Sequence, residues 1–423
     1  MFKLKILYYY LLTKYFRKFA SRGSLLSYQS IQMKKHVEWV MSHSSFYRDW
    51  PGGIIDKKIM MENFSSLNTV GIDRDEAFQV AFAAENSRDF SSTLNGVTIG
   101  LSSGTSGNRG LFLVSDSERA RHAGTILAKI LPRSILSKNK VAFFMRANSN
   151  LYTASQSSRI RFEFFDLLKS VDEHFERLNE LQPTLLFSPP SMLIRLAEAQ
   201  KSGKISVKPL RIFSIAETLD PLDQKHIEES FGQKVHQIYQ CTEGFLGATC
   251  SEGTLHLNED CIYVEPEWLD ESHTKFIPII SDFTRTSQPI IRYHLNDILT
   301  IRKTPCPCGS KMMALECIEG RSDDVIYFLN AKGERVSVFP DFIRRAILTS
   351  SEKVDEYSVR QKVDGELAIY VTAKQSLEGS IQESIKEEIS RLATLVKAVK
   401  PRMVFHHEMP SLEGKKLRRV MRE

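Results

Sequence analysis

Apolar residues change period along the chain, and each change predicts an element. Between residues 24 and 50, Leu, Val and Met recur at helical spacing, and Pro51, Gly52 and Gly53 supply a stop. Residues 96–100 (GVTIG) read as a strand running straight into a Gly/Ser/Thr-rich stretch, 101–110 (LSSGTSGNRG), after which 119–131 read as a helix. Strands are predicted at 140–145 (KVAFFM), 184–190 (TLLFSPP), 210–217 (LRIFSIAE) and 234–240 (KVHQIYQ). Helices are predicted between them at 172–182, ended by Pro183, and at 191–201 and 220–232. This alternation from about 96 to 245 is the signature of βαβ units and parallel pairing. From 250 to 305 the strands are short and consecutive, so that part is expected to be antiparallel or barrel-like.

Beyond residues 319–324 (EGRSDD) the character changes. Strands are predicted at 334–339, 366–373 and 402–407, with a long amphipathic helix at 380–399 opened by Ser380. The expected fold is therefore α/β. A large N-terminal domain of mixed parallel sheets with helices and a small barrel-like part precedes a small α+β C-terminal domain. Boundaries are expected after a basic N-terminal helix (1–22) and at Ser322–Asp324, giving domains 23–321 and 322–423.

At 423 residues the chain is too long for one compact core. Its 42% apolar and 26% charged content is ordinary for a globular protein. The net charge of +6 is uneven: Lys3, Lys5, Lys14, Arg17, Lys18 and Arg22 lie in the first 22 residues with no acid, matching the whole excess. That segment is too short to span a membrane. Its Tyr-rich core, followed at once by basic residues, argues against a cleaved signal peptide. Two readings stay open: a helix packed on the first domain through its Leu/Tyr/Phe face, or a basic helix lying on a membrane or a partner. With no other apolar span, a cytoplasmic location is expected. Nucleic-acid binding is unsupported, since no basic face, zinc finger or RNP pattern appears. Six cysteines in so long a chain read as thiols or metal ligands, not a disulfide scaffold.

The stretch 101–110 has the content of a phosphate loop. Glycines let the backbone approach, and N–H groups and hydroxyls can meet phosphate oxygens. It is neither a Walker A loop nor G-x-G-x-x-G, and a plain surface turn is the bland alternative. In 239–244 (YQCTEG), Glu243 ends a predicted strand, where a carboxylate suits Mg²⁺, and Tyr239 could stack on a purine. Residues 292–298 (RYHLNDI) and 319–324 add an Asp and an Arg.

These segments, with EGKKLRR at 413–419, stand in the order found in adenylate-forming enzymes. The chain resembles the shorter phenylacetate–CoA ligase-like group, which includes CapK-like proteins. The resemblance runs from about residue 40 to the C-terminus. It implies ATP-dependent activation of a small carboxylic acid to an acyl-adenylate, then transfer to a thiol of CoA or of an acyl carrier protein. It further implies that Ser102, Ser103, Gly104, Thr105, Ser106 and Gly107 surround the β- and γ-phosphates. Arg109 and Gly110 stand where Pro and Lys are usual, leaving Arg109 to supply the cation. Tyr239, next to Gln240, would stack on adenine, Thr242 would touch the α-phosphate and Glu243 would hold Mg²⁺. Glu217 stands near the nucleotide, with Ala216 replacing a usual Gly. Asp297 would bind ribose hydroxyls, and Arg321 would assist at ribose or phosphate. Asp323 resembles the hinge on which a mobile C-terminal domain turns, and Lys415 the lysine that stabilises the adenylation transition state. Lys416 stands beside it as the alternative, and Glu413 replaces a usual Ser. An ordinary ion pair and a solvated basic tail are the bland readings of Asp297–Arg321 and of 415–419.

Cys250, His256, Cys306 and Cys308 form a candidate Cys₃His tetrahedron, although the spacing is not C-x₂-C. Some members of the resembling branch hold a structural zinc; four unrelated residues are the alternative. Phe187, Pro189, Met192 and Ile215 are expected to wall an acyl pocket for an aromatic or medium apolar acid. The departures at Gly110, Ala216 and Glu413 leave a rival, a catalytically weak homologue acting as a scaffold in polysaccharide or natural-product assembly. A second rival is nucleotidyl transfer without a thioester step. A monomer or dimer is expected.

Overall fold

Runs of Val, Ile, Leu and Phe too short for helices, and buried on both faces, make the centre of the chain a parallel sheet. Strands Ile160–Asp166, Asn139–Met145, Leu185–Ser188, Arg211–Ser214 and Val235–Cys241 pair in that order, all parallel. Helices cover both faces. Helices Phe175–Leu181, Pro190–Lys201 and Pro221–Phe231 enclose one core, centred on Phe144, Leu186, Leu193, Leu196, Ile212 and Ile227. On the other face, helices Phe2–Leu11 and Asp116–Ile130 cover Val141, Phe143, Phe187, Phe213 and Ile238. Phe187 and Phe213 stack there at 4.6 Å between centroids. The fold is mixed α/β, in a computed structural model that describes residues 1–102, 109–148, 153–351, 354–373, 378–406, 408–410 and 418–423.

The chain divides into two compact units. The first comprises Met1–Leu219, Asp223–Leu295 and Ile301–Cys317; the second comprises Asp220–Leu222, Asn296–Thr300 and Ile318–Glu423.

In the first unit, the Gly/Ser/Thr stretch does not follow a strand of the parallel sheet. Val97–Leu101 pairs antiparallel with Leu111–Val114 and with Thr93–Leu94, a separate three-stranded sheet. The stretch therefore bridges a β-hairpin, and helix Asp116–Ile130 begins only after the second strand. Ser115 caps that helix in a box with Glu118. The expected helix 24–50 is two helices, Arg22–His43 and Ser45–Asp49, divided at Ser44, whose hydroxyl accepts the Tyr47 N–H. The strand expected at 210–217 stops at Ser214 because Ala216 turns left-handed at φ 65°. Strands Ile262–Trp268, Lys275–Asp282 and Ile290–His294 are consecutive and antiparallel, as their spacing predicts.

The N-terminal helix packs on the first unit. A Cβ at Gly124 would lie 2.5 Å from the Ile6 carbonyl oxygen and 2.9 Å from the Tyr10 nitrogen, so only glycine permits this crossing. Two of the segment's cations neutralise buried acids. Arg22 forms a two-point pair with Glu259, and Arg17 lies 4.0 Å from Asp260, which Lys129 also meets at 3.0 Å.

In the second unit, Val354–Gln361 and Leu367–Ala373 pair antiparallel, flanked in parallel by Val420–Arg422 and Met403–His406. Helices Pro340–Ser350 and Glu378–Leu395 bury Ile343, Ile347, Ile385 and Ile389 against Tyr357 and Ile369. The long helix starts at Glu378, two residues before Ser380. Among the described residues no helix is long and apolar enough to cross a membrane.

Candidate functional site

Thr242 and Glu243 form the two-residue turn between strands Val235–Cys241 and Gly244–Thr249. So tight a turn projects both side chains from the carboxyl end of the last parallel strand. Each Glu243 oxygen accepts one hydrogen bond. The Thr242 hydroxyl donates to Oε2 at 2.8 Å and the Tyr293 hydroxyl to Oε1 at 3.1 Å. Each oxygen keeps a further lone pair, so the carboxylate is oriented yet still able to meet a cation. Burial, then the adjacent Glu243 charge, pushes the Tyr293 hydroxyl far above its ordinary value and keeps it a donor. Gly244 has no room for a side chain, since a Cβ would lie 2.9 Å from Asp282 Oδ2. Tyr239 is buried on the same strand, and Gln240 is half-buried.

This turn is clasped to the hairpin that carries the Gly/Ser/Thr stretch. Arg285 donates to the Thr242 carbonyl at 3.0 Å and to the Leu113 carbonyl at 3.2 Å. Gln288 accepts from Leu113 N–H at 2.9 Å and donates to the Leu111 carbonyl at 3.2 Å. Buried Glu118 holds the clasp from beneath, accepting the N–H groups of Thr286 and Ser287 at 2.6 and 2.9 Å. Burial alone would push the Glu118 carboxyl up, but the charge of Arg285 and hydrogen bonds from Ser287 and Ser115 hold it below its usual range.

The base of the stretch is closed by Ser102 and Gly110. The Ser102 N–H donates to the Gly110 carbonyl and the Gly110 N–H to the Ser102 hydroxyl, both at 2.7 Å. Arg109, expected to be the cation here, forks onto Glu85 at 2.7 and 2.5 Å, which neutralises its charge locally. Lys57, outside every motif, donates its ammonium to the Ser102 hydroxyl at 3.2 Å. A Cβ at Gly110 would lie 3.0 Å from Lys57 Cε, so the lysine stem fills the space a residue-110 side chain would take. Ser103, Gly104, Thr105, Ser106 and Gly107 lie outside the described residues.

Glu217 accepts the Ser191 N–H at 3.1 Å and so caps helix Pro190–Lys201, which has no side-chain cap of its own. The expected acyl wall is split by the sheet. Phe187 and Ile215 pack with Phe245 and Ala216 on one face, and Met192 packs on the other.

In the second unit, Asp297 opens strand Asp297–Ile301 and Arg321 ends strand Ala314–Arg321. The Ser322 N–H donates to the Asn296 carbonyl at 2.6 Å, which sets the two residues side by side. Asp324, next to the expected hinge residue Asp323, is buried and paired with Arg418, whose Nε donates at 3.0 Å. The Asp323 side chain, Lys415 and Lys416 lie outside the described residues.

Cys250, His256, Cys306 and Cys308 converge, with all their donor atoms within 4.8 Å of one another. The Cys250 and Cys306 sulfurs are 3.7 Å apart, and Cys308 Sγ is 3.4 Å from His256 Nε2. Tetrahedral zinc with ordinary bond lengths sets these edges at about 3.8 and 3.6 Å. His256 Nδ1 lies 3.1 Å from the Met312 carbonyl, so that nitrogen is the donor and Nε2 presents its lone pair to the cluster. Burial pushes the Cys306 thiol up, but hydrogen bonds from Thr254 and the Cys308 N–H outweigh it and hold it at about 6.

No protein-family profile matches the chain. It is 23% identical to phenylacetate–coenzyme A ligase of Thermus thermophilus, over 58% of this chain and 61% of that one. It is also 23% identical to protein CapK of Staphylococcus aureus, over 58% and 54%. The chain thus spans little more than half the length of the curated relatives it matches. A crystal structure of 2-hydroxyisobutyryl-CoA ligase with 2-HIB-AMP superposes with a TM-score of 0.66 at 19% identity, over 95% of this chain and 89% of that one. The chain is thus similar in sequence to phenylacetate–coenzyme A ligase and protein CapK, and similar in fold to a CoA ligase. Ala216 has a physical cost, because it occupies a left-handed conformation that suits glycine. Lys57, Glu85 and Arg285 lie outside every motif, and Tyr293 lies inside 292–298, where only Asp297 stood out. Each reaches the site across a long sequence separation, and only the partner's identity hints at the role.

Proposed function

We propose that this chain is a member of the adenylate-forming superfamily that activates a small carboxylic acid with ATP and passes the acyl group to a thiol. In the first half-reaction a carboxylate oxygen attacks the α-phosphorus, the bond to the β-phosphate oxygen breaks, and pyrophosphate leaves. In the second, a thiolate attacks the acyl carbon and AMP leaves. The observation that carries this reading is the clasp. Arg285 holds the Thr242–Glu243 turn and the phosphate hairpin in one rigid frame, with an ammonium at the hairpin base. Phosphoryl chemistry of this kind rests on positioning and charge stabilisation, which such a frame supplies.

In this reading Glu243 holds Mg²⁺, which offsets phosphate charge, and Tyr293 and Thr242 fix its carboxylate. Lys57 takes the part first assigned to Arg109, and Ser102 with Ser103, Gly104, Thr105, Ser106 and Gly107 surrounds the outer phosphates. Tyr239, Gln240 and Glu217 line the nucleotide side, Asp297 and Arg321 take the ribose, Asp323 is the hinge and Lys415 serves the adenylation transition state. The resemblance supports these later roles. The Cys₃His cluster holds a structural zinc, supported by its two tetrahedral edges and its oriented imidazole. The acceptor is CoA or a carrier-protein thiol, and Phe187, Ile215 and Phe245 favour an apolar or aromatic acid. The scaffold alternative loses one of its three supports if Lys57 supplies the charge that Gly110 lacks.

Incubation with ATP, Mg²⁺ and a panel of acids, with hydroxylamine trapping of the adenylate, tests the reading. Acid-dependent pyrophosphate release is expected. No release with any acid, together with no calorimetric ATP binding, would reject it in favour of the scaffold. Mass analysis of the trapped product separates acid activation from other nucleotidyl transfer.

A further inference from the structure

Helix Phe2–Leu11 carries two apolar stripes, and the fold uses one. Ile6 and Tyr10 are buried against helix Asp116–Ile130. On the far side, Leu4, Leu7, Tyr8 and Leu11 follow the i, i+3, i+4, i+7 spacing of a single helix face. They are 70%, 39%, 59% and 39% exposed. At about 100° per residue, Lys3 and Lys5 fall on the two edges of that stripe, and both are exposed. Tyr15 and Phe16 extend the exposed apolar surface, and Lys18 beside them is exposed as well. The remaining cations of the segment are engaged inward: Lys14 with the Ala128 carbonyl, Arg17 with Asp260, Arg22 with Glu259.

We propose that this face docks on an anionic lipid bilayer. The helix lies in the plane of the surface, with Leu4, Leu7, Tyr8 and Leu11 at the headgroup–acyl boundary and Lys3 and Lys5 reaching lipid phosphates. The charge pattern selects this occupant. Pairing of the stripe with a second copy would bring cationic edges together, with no acid in residues 1–22 to offset them. An anionic surface satisfies both edges at once, and tyrosine suits a boundary that is apolar on one side and wet on the other. Gly124 fixes the helix to the first unit, so the stripe is a rigid part of the surface. The inference goes beyond the acid-activating reading and does not depend on it.

Co-sedimentation of the whole protein with vesicles tests it, using phosphatidylcholine alone and phosphatidylcholine mixed with phosphatidylglycerol. Binding to the anionic vesicles is expected, weakening as salt is raised. Leu4→Ser/Tyr8→Ser should lower the partition coefficient at least about tenfold, and Lys3→Gln/Lys5→Gln should remove the preference for anionic lipid. All four side chains are exposed, so an unchanged melting temperature separates lost docking from lost fold. Protein that stays in the supernatant with both vesicle types overturns the proposal. So does binding that neither double variant changes. Self-association, or capture of a protein partner, that depends on the stripe without vesicle binding assigns the face elsewhere and equally overturns it.

Discussion

Replacing Lys57 with Met removes one charge and keeps most of the stem. The ammonium is 3.2 Å from the Ser102 hydroxyl, at the base of the hairpin formed by Val97–Leu101 and Leu111–Val114, and the side chain is half-buried. A phosphate oxygen about 4 Å from it would gain about 4 kcal/mol at an effective dielectric of 20. Solvent screening of a half-buried ammonium reduces this, and about 2 kcal/mol is a fair share, or roughly 30-fold in kcat/KM for ATP. Arg109→Ala removes instead a charge already paired with Glu85. Such a pair, about a third exposed on each side, is worth only about 0.2–1 kcal/mol, so a loss of no more than about fivefold is expected. The two lysine positions share one space, which gives a stricter test. Lys57→Ala/Gly110→Lys should recover much of the activity that Lys57→Ala loses, whereas Gly110→Lys alone should crowd Lys57 and gain nothing. The assay is acid-dependent pyrophosphate release at varied ATP, with circular dichroism as the control for folding. A Lys57→Met enzyme within threefold of the parent, or an Arg109→Ala enzyme more impaired than it, would refute the assignment.

Ala216→Gly should stabilise the protein by about 1 kcal/mol, because relief of the left-handed strain exceeds the entropy that glycine costs; a lower melting temperature would contradict this. Stability should fall between pH 6.5 and 4. Burial draws His36 and His236 down to about 4, so the unfolded chain binds more protons in that window and each withdraws about 2 kcal/mol by pH 5. Glu118, depressed in the folded state, adds to the loss at still lower pH, and urea midpoints at pH 7 and 5 measure the slope. A strong chelator should remove one equivalent of zinc and lower the melting temperature by at least about 5 °C. Cys308→Ser should do the same, and an unchanged melting curve with no metal released would end the zinc assignment.

Periodicity exposed what depends on local order. Four of the five parallel strands, their crossover helices and the antiparallel run after residue 250 follow from period and from breakers such as Pro183, whereas strand Ile160–Asp166 is not predicted. The Gly/Ser/Thr stretch follows a strand as expected, but strand Leu111–Val114 is not predicted, because four apolar residues between turn formers carry no period. Its burial is settled by Gln288 and Arg285, some 175 residues away. The same limit hid Lys57. A lysine opening a short helix beside Lys58 looks like a solvated charge until the fold sets it at Gly110. Arg109 shows the converse, since its pairing with Glu85 is equally a tertiary fact. The Cys₃His cluster was legible as composition, yet its closeness to a tetrahedron is a tertiary fact.

The pairing of Arg22 with Glu259 spans 237 residues. Synthesis at about 5–20 residues per second separates the two partners by roughly 10–50 s on the ribosome. Through that interval Arg17 and Arg22 lack the acids they later pair with, although helix Asp116–Ile130, which covers Ile6 and Tyr10, is made earlier. Once the later acids emerge, their burial without Arg17 and Arg22 would cost several kcal/mol. Arg17 and Arg22 thus gain their partners only after some 237 further residues have been made.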